Sequence, residues 1–208
     1  MRIIVICCLF TISSSQNLES KIRGLISGFK GDLGIYVKHQ KSGEELRINS
    51  DTIFPTASMI KVPILISLFD RIELGDYSYS QKMEWHADTV NYPYDGQLLW
   101  SFKEGQPIHL SEIISLMITY SDNHAALWSQ KLAGGGERIN RWLDRNGFKS
   151  TRMNSRTDGR RSDWERYGWG QTTPYEMAQL ISGIAEGKWV SVGASQEMYR
   201  VLANIYWR

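Results

Sequence analysis

The sequence predicts an α+β domain, on three observations. Leu18, Ile22, Leu25, Ile26 and Phe29 recur at helical spacing, the mark of an amphipathic first helix that ends near Gly28 to Gly31. Leu33 to His39 is rich in strand formers and Glu45 to Asn49 alternates polar residues with Leu46 and Ile48, with Lys41-Ser42-Gly43 as the turn of a hairpin between them. Val62, Ile64, Leu65, Ile66, Leu68, Phe69 and Ile72 then make a helix apolar on nearly every side, which belongs in a core rather than on a surface.

Ahead of these elements, residues 1–15 read as a signal peptide: Arg2, the apolar run Ile3 to Phe10, and Ser13-Ser14-Ser15 as a small-residue cleavage region. The run is too short to span a bilayer, so export to a bacterial periplasm or beyond is expected, without stable membrane insertion. Both cysteines, Cys7 and Cys8, fall inside it, which leaves residues 16–208 without a thiol, a disulfide or a cysteine metal site. That remainder reads as one domain, since no linker or repeat divides it. The composition, 42% hydrophobic and 22% charged, is ordinary for a globular protein. A net charge of +2 spread along the chain gives nucleic acid no basic stretch to bind, so the expected partner is a small molecule.

The chemistry is expected where Thr56-Ala57-Ser58-Met59-Ile60-Lys61-Val62-Pro63 opens the buried helix. Positions i and i+3 share a helix face, so the Ser58 hydroxyl and the Lys61 amine can meet. A serine hydroxyl is a weak nucleophile until a neighbour takes its proton, and lysine can do so when burial lowers its pKa. The Ser58 N–H at a helix start also faces where an oxyanion would form. Pro63 costs little in the first turn. The same spacing occurs in Ser27-Gly28-Phe29-Lys30, but no apolar helix lies behind it and Ser27 reads as surface.

Residues 76 to 108 carry many aromatics (Tyr77, Tyr79, Trp85, Tyr92, Tyr94, Trp100, Phe102) without a clear period and read as irregular connections. Ser111 reads as the N-cap of a helix carrying Ile113, Ile114, Leu116, Met117 and Ile118. That helix runs into Ser121-Asp122-Asn123, where Ser121 is either a polar group of the site or the cap of the next helix. His124 reads as packing or surface, because no second ligand stands at a metal-binding spacing. Gly134-Gly135-Gly136 reads as a turn between helices, and Glu137 to Asn146 as another helix. Thr173, Pro174 and Glu176 read as a capping box opening a helix with Met177, Leu180, Ile181 and Ile184, and a last helix is expected from Ser195 through Met198, Leu202 and Ile205.

Ser58-Met59-Ile60-Lys61, then Ser121-Asp122-Asn123, then Thr172-Thr173-Pro174 stand in the order seen in the class A β-lactamases and related penicillin-recognising serine hydrolases, which the chain resembles over almost all of residues 16–208. The resemblance implies an antiparallel sheet flanked by helices, with an all-helical subdomain. It implies Ser58 as the acylating nucleophile, Lys61 as its partner in proton transfer, Ser121 as the hydroxyl that protonates the departing nitrogen, and Asn123 as the amide that holds the substrate's side-chain carbonyl and Lys61. No cofactor or metal is implied.

Two positions depart from the family. Its loop before Thr-Thr-Pro carries a glutamate that positions the water for hydrolysis of the acyl-enzyme. Counted forward from Thr151-Arg152-Met153 or back from Pro174, that position is Thr157, with Asp158, Asp163 and Glu165 off the spacing. No Lys-Thr-Gly follows before Arg208, so the family's later strands and C-terminal helix are expected to be missing from this chain. The expected function is a serine β-lactamase. The alternatives are a D-alanyl-D-alanine carboxypeptidase or transpeptidase acting on cell-wall peptide, and a non-catalytic module binding β-lactams or wall fragments. The complete protein is expected to be a monomer.

Overall fold

The computed structural model describes residues 12–93 and 96–206, with side chains from Leu18 onward. The apolar run Ile3 to Phe10 with Cys7 and Cys8, and Tyr94, lie outside the described residues. The first helix, α1 (Ile12–Ile26), includes the serines expected as a cleavage region. It packs on β2 of a hairpin formed by β1 (Ile35–Lys38) and β2 (Glu45–Ile48), antiparallel with Ile35 opposite Ile48. Gly43 takes a positive φ of 75° in the turn, which an L side chain would resist.

The helix expected at the core is there. After β3 (Phe54–Pro55) and a 3₁₀ turn over Ala57–Ile60, α2 (Lys61–Glu73) is buried continuously from Lys61 to Phe69. Five later helices pack on it: α3 (Leu110–Thr119), α4 (Asn123–Leu132), α5 (Gly135–Arg145), α7 (Pro174–Ala185) and α8 (Val192–Leu202). A helix apolar on all sides has no face to give to water, so the others assemble around it. Gly134 caps α5 with a φ of 93°, while Gly135 and Gly136 lie within that helix rather than in a turn.

Two small sheets complete the molecule. β6 (Arg152–Met153), β7 (Gly170–Thr172) and β3 form a three-stranded antiparallel sheet with β7 in the middle, and residues 154–169, including α6 (Arg161–Tyr167), form the loop that leaves and re-enters it. β4 (Lys82–Glu84) pairs with β5 (Pro107–His109), so the stretch expected to be irregular holds a short ribbon. Three-residue strands are too short to show an alternation, and their stability comes from pairing across the intervening residues.

Helix caps differ from expectation in two further places. α3 is capped by His109, not Ser111: the Glu112 carboxylate accepts from His109 N–H at 2.7 Å. α7 (Pro174–Ala185) begins as expected, with Thr173 Oγ1 accepting from Glu176 N–H, but the Glu176 carboxylate turns away from the cap to accept from the N–H groups of Lys149, Ser150 and Thr151 and from the Thr151 hydroxyl. α8 starts at Val192 under a Ser191 cap, and Ile205 lies past its end.

Candidate active site

Ser58 lies in the exposed 3₁₀ turn, and Lys61, three residues on, is the first residue of α2 and only 3% exposed. The change from turn to helix is what separates them in exposure: the hydroxyl faces solvent while the amine enters the core. Ala57, just before Ser58, has a positive φ of 45°. A side chain in that region costs about 1 kcal/mol or more, which the surrounding packing must offset.

The second polar group comes from the junction of α3 and α4. Ser121 also takes a left-handed backbone, φ 59°, which lets the chain reverse between two packed helices. It is not the cap. Asp122 caps α4, its Oδ1 accepting from Ala125 N–H at 2.9 Å while Oδ2 accepts from Leu99 N–H at 2.9 Å. That leaves the Ser121 hydroxyl for the site.

The four residues predicted for the site converge on the Lys61 amine. Nζ lies 2.5 Å from the Ser121 carbonyl oxygen, 2.8 Å from Ser121 Oγ, 3.0 Å from Asn123 Oδ1 and 3.3 Å from Ser58 Oγ. Ser121 Oγ lies 2.9 Å from Ser58 Oγ and closes the triangle. An ammonium has three protons for these four oxygens, so one contact is left without a proton of its own. The longest is to Ser58 Oγ. A neutral amine fits the same geometry by accepting the Ser58 hydroxyl proton there.

Burial is what makes the neutral form accessible. It pushes the Lys61 pKa down to about 8, against the Asp122 carboxylate, whose charge pulls it back up. Among the described residues no carboxylate touches Nζ directly; its partners are neutral oxygens, which is why desolvation dominates.

Further residues set the position of Asn123. Its backbone N–H donates to Gln97 Oε1 at 2.7 Å, and its Nδ2 meets the Tyr92 hydroxyl at 3.4 Å, leaving Oδ1 turned to Lys61. Sequence reading missed both, because they come from the aperiodic stretch and act across the fold. His124 is packing: fully buried, it lies against the rings of Trp85, Tyr92 and Trp100. Ser27 and Lys30 are both exposed past the end of α1, as surface residues.

The loop over residues 154–169 is tied at its neck, where Asn154 and Ser155 N–H both donate to the Trp169 carbonyl. Arg160 braces it from within, donating to Asn154 Oδ1 and Gln171 Oε1 and pairing with Asp163. Thr157 is half-buried, its hydroxyl donating to Ser155 O at 3.0 Å. It packs on Gly136, where an added Cβ would stand 1.7 Å from Thr157 Oγ1. Position 136 therefore has to be glycine while Thr157 stays in place.

Over residues 17–208 the sequence matches the β-lactamase enzyme family. It is 24% identical over 183 residues to the β-lactamase VEB-1 of Pseudomonas aeruginosa, covering 86% of this chain and 61% of that protein. It is 28% identical over 178 residues to a β-lactamase of Bacteroides uniformis, covering 84% and 60%. The chain thus spans about three-fifths of the length of these curated relatives. Among solved structures, PBP-A superposes with a TM-score of 0.78 at 27% identity, over 91% of this chain and 69% of that one, and a variant of PBP-A is known as an acyl-enzyme complex with penicillin G. With a match that runs through every element from the first helix to the last, the chain belongs to the β-lactamase enzyme family.

Proposed function

We propose that Ser58 opens a β-lactam ring and holds the product as an ester. The observation that carries this reading is the closed contact set of Ser58, Lys61 and Ser121 around one buried amine. Neutral Lys61 takes the Ser58 hydroxyl proton as Oγ attacks the lactam carbonyl. The carbonyl–nitrogen bond then breaks. Ser121 gives its proton to the departing nitrogen and takes one from the Lys61 ammonium, which returns the amine to its starting state. Asn123 holds Lys61 through Oδ1 and offers Nδ2 to the carbonyl of the substrate's side chain.

The test is intact-mass labelling with penicillin G. The expected result is one adduct of penicillin mass per chain, lost in Ser58→Ala and retained in Ser27→Ala. An adduct that survives Ser58→Ala overturns the assignment.

Hydrolysis of that ester is expected to be slow, because Thr157 is too weak a base at neutral pH and its hydroxyl is already spent on Ser155 O. General-base assistance is worth ~10²–10⁴-fold. A burst of one product equivalent with a chromogenic cephalosporin, followed by a slow phase, is the expected course; fast turnover without a burst would show that another base serves. The same feature favours a second reading, a D-alanyl-D-alanine carboxypeptidase or transpeptidase, since a long-lived acyl-enzyme can be passed to another acceptor. Release of D-alanine from a wall peptide would select it, and labelling without any turnover would select a binding module.

Export remains part of the proposal, on the strength of residues 1–15. N-terminal sequencing of protein from the periplasm or medium of a producing cell checks it, and a mature chain that still begins at Met1 counts against it.

A further inference from the structure

A cavity of about 500 Å³ lies between the 154–169 loop and α4. It shares a wall with the site: Tyr92 lines it, and the Tyr92 hydroxyl is the atom that meets Asn123 Nδ2 at 3.4 Å. Trp164 and Trp169 supply further aromatic wall, with the Trp169 ring edge-on to Tyr92 at 5.9 Å.

Three charged side chains line the same space, and they are not equivalent. Arg161 is engaged, donating to Glu165 at 2.6 Å with its guanidinium over Trp164. Arg156 donates to the Asn91 carbonyl at 2.9 Å and makes no ion pair among the described residues, although burial already disfavours its charge. Asp158 makes no hydrogen bond or ion pair through its carboxylate among the described residues. Arg156 and Asp158 flank Thr157, carry opposite charges and line one cavity, yet do not pair with each other. Arg156 also takes a left-handed backbone, φ 50°.

Opposite charges left apart on one aromatic-walled cavity match a ligand that carries both charges itself. We infer that the cavity receives the zwitterionic α-amino-acid end of a substrate's acyl side chain, carboxylate on Arg156 and ammonium on Asp158, with the intervening methylenes over Tyr92, Trp164 and Trp169. This rests on the acylation of Ser58 proposed above and names the substrates it favours: β-lactams whose side chain runs past Asn123 to such an end. The guanidinium suits the planar carboxylate, and Asp158 accepts from the ammonium.

The test compares three penicillins on the full chain by the rate constant of Ser58 acylation per unit concentration. One bears a 5-amino-5-carboxypentanoyl side chain, the second its N-acetylated form, the third a plain pentanoyl chain. The zwitterionic compound should react about tenfold faster than the pentanoyl one, the size expected for charge-assisted contacts that stay partly wet. Arg156→Gln should remove the advantage of both carboxylate-bearing compounds. Asp158→Asn should remove only the difference between the free and acetylated amine. Equal rates in the unaltered chain, or a preference unchanged in both variants, overturns the inference. If no penicillin labels Ser58, the acylation reading is the one that fails, and the cavity is decided by titrating the chain with 2-aminoadipate. Shifts of the Trp164 and Trp169 indole NMR signals that are lost in Arg156→Gln support it, and unmoved indoles refute it.

Discussion

In the proposed acylation the Lys61 amine sets how fast Ser58 reacts, because only its neutral form accepts a proton. With the pKa held down to about 8 by burial, about one chain in ten is neutral at pH 7. The rate of acylation should therefore climb about tenfold per pH unit below that point and flatten above it. Asp122 pulls in the opposite direction, since its charge favours the ammonium. Asp122→Asn should move the inflection to lower pH. It should also cost about 1–3 kcal/mol of stability, because one amide oxygen cannot replace both carboxylate oxygens on Ala125 and Leu99 N–H. A pH–rate profile of adduct formation beside urea denaturation reads both effects, and an inflection that stays put or rises would show that Asp122 does not act on Lys61 through its charge. The candidate pair Ser58 and Lys61 was legible because a hydroxyl and an amine at helical spacing ahead of an apolar helix make a local pattern. Gln97 and Tyr92 were not, because what they do is defined only by Asn123, which the fold brings to them from another segment.

Glu176 shows the same limit at the level of elements. Thr-Pro-x-Glu at a helix start reads as a reciprocal cap, and the Thr173 half of that reading holds. The glutamate instead closes the start of the neighbouring segment, accepting from three consecutive N–H groups and the Thr151 hydroxyl just before β6. A carboxylate can take several donors at once, and a run of N–H groups ahead of a strand competes better than the single N–H of the cap. Thr173→Ala should therefore cost about 1 kcal/mol, as an ordinary cap does. Glu176→Ala should cost more, about 2–4 kcal/mol, because it leaves a set of part-buried donors unpaired. Denaturant unfolding of the two variants checks the order, and equal losses would restore the reciprocal cap. The ribbon of β4 and β5 escaped sequence reading for a related reason: each strand is defined by its partner and is too short to announce itself.

Across the whole molecule the core and the outside are built to different standards. α2 is buried continuously from Lys61 to Phe69, whereas α1 lies on β2 with Glu19, Ile22 and Ile26 its only half-buried residues among those whose side chains are described, leaving Leu25 85% exposed and, just past the helix, Phe29 59% exposed. Leu18 and Val37 are exposed nearby, and among the described residues β1 and β2 pair only with each other, so neither outer edge of that hairpin has a strand beside it. Apolar side chains next to an open strand edge favour association, since each Leu or Phe withdrawn from water contributes about 1.5–3 kcal/mol and the edge supplies hydrogen bonds to any strand that aligns with it. The 208-residue chain on its own should therefore self-associate as its concentration rises. Leu25→Lys with Phe29→Lys should shift it toward the monomer, and Val37→Lys further, because a lysine on an edge strand opposes pairing. These positions lie apart from Ser58, Lys61 and Ser121, so penicillin labelling serves as the control that the fold is kept. Static light scattering over a concentration series reads the outcome. A chain that stays monomeric throughout would mean that this surface is too small or too curved to hold two copies together, whereas association undiminished in the triple variant would place the contact elsewhere on the molecule.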